Sequence, residues 1–81
     1  ETFTCLAACL RAMERGGLAP AAANGANEAA VELFLRRKIP FLRIGELVTA
    51  AMEHQPDQPA STLDAILDAD AAAREYVYTH A

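Results

Sequence analysis

The sequence has 81 residues, a net charge of −4, 53% hydrophobic residues, two cysteines and no tryptophan. That length allows one domain, near the lower limit at which an apolar core suffices without disulfide or metal staples. The seven Lys and Arg form no basic stripe with interleaved aromatics, so nucleic-acid binding finds no support.

Alanine inflates the hydrophobic fraction, so the core is expected from Leu, Ile, Val, Met and a few aromatics. No run of about 18 apolar residues and no charged-then-apolar leader occurs, and the chain reads as soluble and cytoplasmic. It begins at Glu1 without an initiator Met, as a piece excised from a longer protein would.

In chain order, a first helix is expected over 4–15. Thr2 or Thr4 can cap its start, and Leu6, Cys9, Leu10 and Met13 form an inward stripe at spacings of three and four. Gly16-Gly17 ends it with residues that accept left-handed backbone angles. Cys5 and Cys9, four apart on one face, do not suit a disulfide and have no partner pair for a zinc site. They read as small core residues in a reducing compartment.

A second helix is expected over 20–37, opened by Pro20 and carrying Val31, Phe34 and Leu35. Glu32 and Arg36 form a favourable four-apart pair, and Arg36-Arg37-Lys38 places cations at the helix C-terminus. Ile39-Pro40 breaks the chain. A third helix over 42–53 faces Ile44, Leu47, Val48 and Met52 inward. His54 to Pro59 is a polar, proline-rich loop. Ser61 with Asp64 resembles a capping box for a fourth helix over 61–79. Its inward residues are Leu63, Ile66, Leu67, Ala71, Val77 and Tyr78, and the weak helix formers Asp68 and Asp70 leave open whether it kinks or breaks near Asp70. Nothing alternates with period two long enough to be a strand. The architecture expected is all-α, a small antiparallel four-helix bundle.

The residues 24–28, NGANE, stand out because Asn and Gly are poor helix formers in an otherwise alanine-rich segment. In helical geometry Asn24 and Asn27 share a stripe with Val31 and Phe34, which reads as a buried polar clamp fixing register. An unsatisfied buried amide costs about 1–3 kcal/mol, so such a pair must find partners. Glu28 has no Lys or Arg four residues on. It lacks the second carboxylate or His that acid–base or metal chemistry needs, and reads as structural or solvent-facing. Asp64, Asp68 and Asp70 lack the alternation and distal Glu of a calcium loop and read as a solvated face. His54 and His80 have no triad partner, and Gly16-Gly17 lacks the Lys and Ser/Thr of a phosphate loop. An acyl carrier protein would need an Asp-Ser-Leu attachment site, whereas Ser61 lies in Ala-Ser-Thr. From the residues alone, no active site is visible.

The run CLAACLRAMERGG, then NGANEAAVELFLRRKIPF, then LDAILDADAAAR closely resembles the C-terminal helical domain of the 1-deoxy-D-xylulose 5-phosphate reductoisomerase family. The most specific part matches that family's Asn-Ala-Ala-Asn-Glu followed by Ala-Val, Phe-Leu and Lys-Ile-x-Phe. The likeness runs from about Phe3 to Arg74. It implies an enzyme using NADPH and Mg2+ or Mn2+ to make 2-C-methyl-D-erythritol 4-phosphate in non-mevalonate isoprenoid biosynthesis. It further implies dinucleotide-binding and catalytic domains as partners, and a homodimer. The family's metal and phosphate ligands belong to its central domain, so no catalytic, cofactor-binding or metal residue carries over to this chain. Asn24, Asn27 and Glu28 carry over as a structural signature. The family usually has alanine where Gly25 stands, and glycine is expected to loosen the helix by ~1 kcal/mol or less. The alternative reading is a free-standing helical protein-interaction module.

Overall fold

The computed structural model describes residues 2–81, with side chains from Ala7 onward. It holds four helices, α1 (Thr2–Arg15), α2 (Ala19–Leu35), α3 (Phe41–His54) and α4 (Leu63–His80), and no strand among the described residues. The fold is an all-α bundle. The capping expectation at Thr2 or Thr4, and the inward placement of Cys5 and Leu6, lie outside the described side chains.

Each break has a local cause. Gly16 and Gly17 take φ of 68° and 57°, the left-handed region that glycine enters without a Cβ clash. A Cβ on Gly17 would run into the Gln58 carbonyl, and the next residue, Leu18, donates its N–H to that same oxygen at 3.0 Å. The α1–α2 turn is thereby tied to the α3–α4 loop. Pro20 sits in the first turn of α2, where its missing N–H costs nothing. At the other end, Arg37 N–H donates to Phe34 O at 2.9 Å and Lys38 N–H to Leu33 O at 2.8 Å. These paired bonds form a Schellman motif, and they force Arg37 to φ 60°. Two of the three basic residues thus build a helix stop, and α2 ends at Leu35.

Pro40, extended at ψ 160°, opens α3. The far end of α3 is closed by Arg15 of α1, whose guanidinium donates to Met52 O at 2.7 Å and Gln55 O at 2.9 Å while also bonding Asp57. Terminal carbonyls have no partner within their own helix, and a cation near the helix C-terminus also suits the dipole. Thr62, one residue after the expected Ser61, caps α4 by accepting from the Ala65 N–H at 3.0 Å. α4 then runs unbroken through Asp68 and Asp70, because the Asp70 carboxylate bonds Arg74 instead of competing for the backbone.

The core departs from the expectation of large apolar residues at every helix. On α3, Ile44, Leu47, Val48 and Met52 are buried as expected. On α1 the buried line is Ala8 and Ala12, while Cys9, Leu10 and Met13 face outward. On α4 it is Ala69, Ala73 and Val77, while Leu63, Leu67, Ala71 and Tyr78 are exposed. On α2 a broad alanine surface from Ala19 to Ala30 fills the centre, with Val31 and Phe34 packed on its rim and Leu35 outside. Helix axes approach more closely when the residues between them are small. The bundle therefore uses alanine where helices touch. Cys9 carries a free, exposed thiol, contrary to the core role expected of it.

α2 packs on all three other helices, whereas α1 does not reach α4 among the described residues. The most extensive contact joins α2 to α4, which are not consecutive. Arg37 is the one non-glycine residue in the left-handed region among the described residues. Arg37→Gly is expected to stabilise the chain by about 1 kcal/mol, since a Cβ in that region costs roughly that much. The check is a urea titration, in which the midpoint should rise at unchanged slope.

Candidate functional site

The residues marked by sequence lie where α2 meets α4. Gly25 is buried, and its α-carbon faces the backbone of α4 so closely that an added Cβ would lie 2.5 Å from Asp70 O and 2.8 Å from Asp70 Oδ1. Real Cβ atoms do not tolerate such contacts with a carbonyl oxygen, so α4 would have to move. The expectation that glycine merely loosens α2 is incomplete: it also admits α4.

One turn along, Glu28 accepts from Arg74 Nη2, while Arg74 Nε donates to Asp70 Oδ1 at 2.5 Å. One turn further, the Tyr78 hydroxyl donates to Glu32, which also pairs with Arg36 at 3.0 Å. The positions 25, 28 and 32 on α2 thus meet 70, 74 and 78 on α4 in the same order, so the two helices run parallel. Glu28 pairs with Arg74, 46 residues away, a partner that its own helix could not reveal. Asp70 is not part of a solvated face, being three-quarters covered and paired, whereas Asp64 and Asp68 are exposed.

The electrostatics follow from these bonds. Hydrogen bonds from Arg74 to Asp70 and then to Glu28 raise its pKa above the ordinary arginine value, keeping it charged. The bond to Glu32 raises the Tyr78 phenol above its ordinary value, because a neutral hydroxyl can donate to the carboxylate and a phenolate cannot. All these groups touch water, so each ion pair contributes at most about 1 kcal/mol. Their main effect is on register.

Asn24 and Asn27 do not form the expected clamp. Asn24 is exposed and Asn27 half-buried, and among the described residues neither side chain bonds another helix. The face of α2 turned inward is the alanine face, more than a third of a turn away, and α4 packs against Gly25 beside it. The two amides instead border a cleft of about 180 Å3 between α1 and α2, with Cys9, Met13 and Pro20.

His54 and His80 were not expected to meet, yet both rings lie against Tyr76, with centroids 4.9 and 3.9 Å away. Periodicity places Tyr76 on α4 but carries no sign of a loop-flanking histidine folding onto it. The donors present do not fit a divalent metal: among the described residues no three His, Cys, Asp or Glu side chains converge, and Glu28 and Asp70 are committed to Arg74. Nor does any glycine-rich loop of this chain suit a dinucleotide phosphate, since Gly17 is filled by Gln58.

These features define a small helical domain in which Gly25, Glu28 and Glu32 join α2 to α4. Residues 1–76 match the family model for the DXP reductoisomerase C-terminal domain, and the chain belongs to that family. It is similar to 1-deoxy-D-xylulose 5-phosphate reductoisomerase of Chloroherpeton thalassium, at 49% identity over all 81 residues and 21% of the relative. The reductoisomerase of Paraburkholderia phymatum is 45% identical over 96% of this chain and 20% of its own length. That of Burkholderia cenocepacia is 50% identical over 89% of this chain and 18% of its own length. The chain thus spans about a fifth of the curated relatives it matches. No solved structure gives a significant match.

Gly25→Ala is expected to destabilise the chain by about 1–3 kcal/mol despite alanine's better helix propensity, because the added methyl overpacks against backbone. A thermal melt checks it, and an unchanged or higher midpoint would remove the close-approach account. The Tyr78 link should be fully present below the ordinary phenol pKa of about 10 and be lost as pH rises through the higher folded value. Subtracting the ultraviolet titration of Tyr78→Phe from that of the natural chain isolates this one phenol. Its midpoint should lie above the ordinary value and fall back towards it in Glu32→Gln.

Proposed function

We propose that this chain is the C-terminal helical domain of a 1-deoxy-D-xylulose 5-phosphate reductoisomerase and contributes architecture rather than chemistry. The whole enzyme would rearrange and reduce the sugar phosphate with NADPH and Mg2+ or Mn2+, as a cytoplasmic homodimer supplying isoprenoid biosynthesis. The observation that carries the reading is 49% identity over the whole of this chain to about a fifth of an enzyme of that name, joined to a C-terminal domain model.

What the chain's own residues do in that setting is hold a rigid four-helix unit. Gly25, Glu28 and Glu32 fix α2 against α4, Arg15 fixes α1 against α3, and the Gly17–Gln58 contact fixes the two connecting loops together. Glu28 of the signature acts through Arg74, and Asn24 and Asn27 remain available on the surface. No helix among the described residues is long and apolar enough to cross a membrane.

The expected result is that the purified 81-residue chain neither oxidises NADPH with the sugar phosphate nor binds the nucleotide. The reading frame extended upstream should do both. Nucleotide affinity in the short chain, or an extended enzyme inert towards this substrate, would overturn the reading.

A further inference from the structure

α1 is built the opposite way from an ordinary surface helix. Its small residues Ala8 and Ala12 face the bundle, while Leu10 and Met13 are 52% and 71% exposed beside Cys9. Surface helices normally turn their large apolar side chains to the core, since removing leucine and methionine side chains from water is strongly favourable. The paired cations of α1 are drawn away from this strip, Arg11 to Glu53 of α3 and Arg15 to Asp57 in the next loop. The strip itself carries no ion pair. Beside it, across the α1–α2 cleft, stand Asn24 and Asn27, one turn apart and each with donors and acceptors to offer. An apolar strip edged by two primary amides matches another polypeptide surface, with methyl groups for the strip and backbone N–H and C=O for the amides. It matches no charged small molecule.

We infer that the α1–α2 face is the surface on which the catalytic part of the same reductoisomerase chain docks. The inference rests on the membership proposed above and names the face that membership leaves open. The length of the relatives identifies the occupant: four-fifths of each lies outside the matched region, and the matched part is a C-terminal domain. The rest of such an enzyme joins this domain through α1, so a covalently attached neighbour is presented to the strip at high effective concentration. The other exposed large apolar residues are Leu35 of α2, Phe41 and Leu42 of α3, and Leu63, Leu67 and Tyr78 of α4, and none of them lines the cleft that Asn24 and Asn27 border. The role of Asn24 and Asn27 then becomes clear: they are held ready for an interdomain contact.

The test uses the extended enzyme and its own exposed thiol. Cys9 is alkylated with iodoacetamide and followed by site-resolved peptide mass spectrometry, against a Glu75→Cys variant as an exposed reference on α4. Cys9 should react about tenfold or more slowly than the reference, since thiol reactivity follows exposure. Met13→Asp should speed Cys9 labelling severalfold without altering the reference rate. If that variant fails to fold, the comparison of Cys9 with the Glu75→Cys reference, with Met13 unchanged, decides alone. Equal rates at Cys9 and the reference would overturn the docking face. Protection that disappears on dilution would do the same, because a second copy would then be the cover. Reductoisomerase turnover in the same preparation separates the two ideas. Turnover with an open Cys9 removes this face and leaves the membership standing, whereas absent turnover removes both.

Discussion

The approach of α4 to α2 at Gly25 sets the geometry of the whole bundle. Two helices that are not consecutive and run parallel would ordinarily sit across a diagonal in an up-and-down bundle, separated by side chains from all four members. Here a glycine, with Ala22, Ala26 and Ala29 buried on the same helix, lets the Asp70 backbone come within van der Waals reach of α2. Once that point is fixed, the helical repeat carries the rest. Arg74 falls beside Glu28 and Tyr78 beside Glu32, each one turn further along both helices. A shift of α4 by one residue would move every one of these partners off the seam. The polar contacts add little energy individually because they are open to water, and they favour this register only together with the close packing at Gly25.

The same economy explains where the large apolar residues went. With alanine at the helix contacts, each buried methyl contributes only about 0.8 kcal/mol, and the true bulk of the core comes from Leu47, Val48, Met52 and Val77. Such a core is thin, and stability depends on supplements at the edges. Arg15 caps α3, Thr62 caps α4 and Gln58 stitches two loops together. A thin core in a domain of this size makes such supplements count for more.

The helices were largely legible in the sequence because their punctuation is chemically unambiguous. Gly16-Gly17, Pro20, Pro40 and the Pro56–Pro59 loop each forbid or favour particular backbone angles whatever the surroundings. The inward faces of α1 and α4 were not legible, because periodicity reports which residues share a face and not whether that face meets the core or another surface. Leu10 and Met13 do form the stripe their spacing predicts; the stripe points outward. The pairing of Glu28 was hidden for a related reason. Its cation lies on another helix, 46 residues away, and only the register of the two helices brings it near. Gly25 read as a weakness of α2 because propensity treats a helix in isolation, and the benefit belongs to a different helix.

The motif at 24–28 therefore divides by side of the helix rather than by residue type. Gly25 and Glu28 belong to the seam with α4, while Asn24 and Asn27, roughly a third of a turn round, belong to the edge of the α1–α2 cleft. A single short segment thus looks in two directions, into its own bundle and out towards whatever covers α1. That division accounts for the composition that propensity alone leaves unexplained. A helix buried on one side needs small residues there. A helix meeting a second polypeptide on another side gains from short amides, which bond backbone without the entropy cost of long side chains. Alanine would serve the first need at most positions but leaves nothing to satisfy the second.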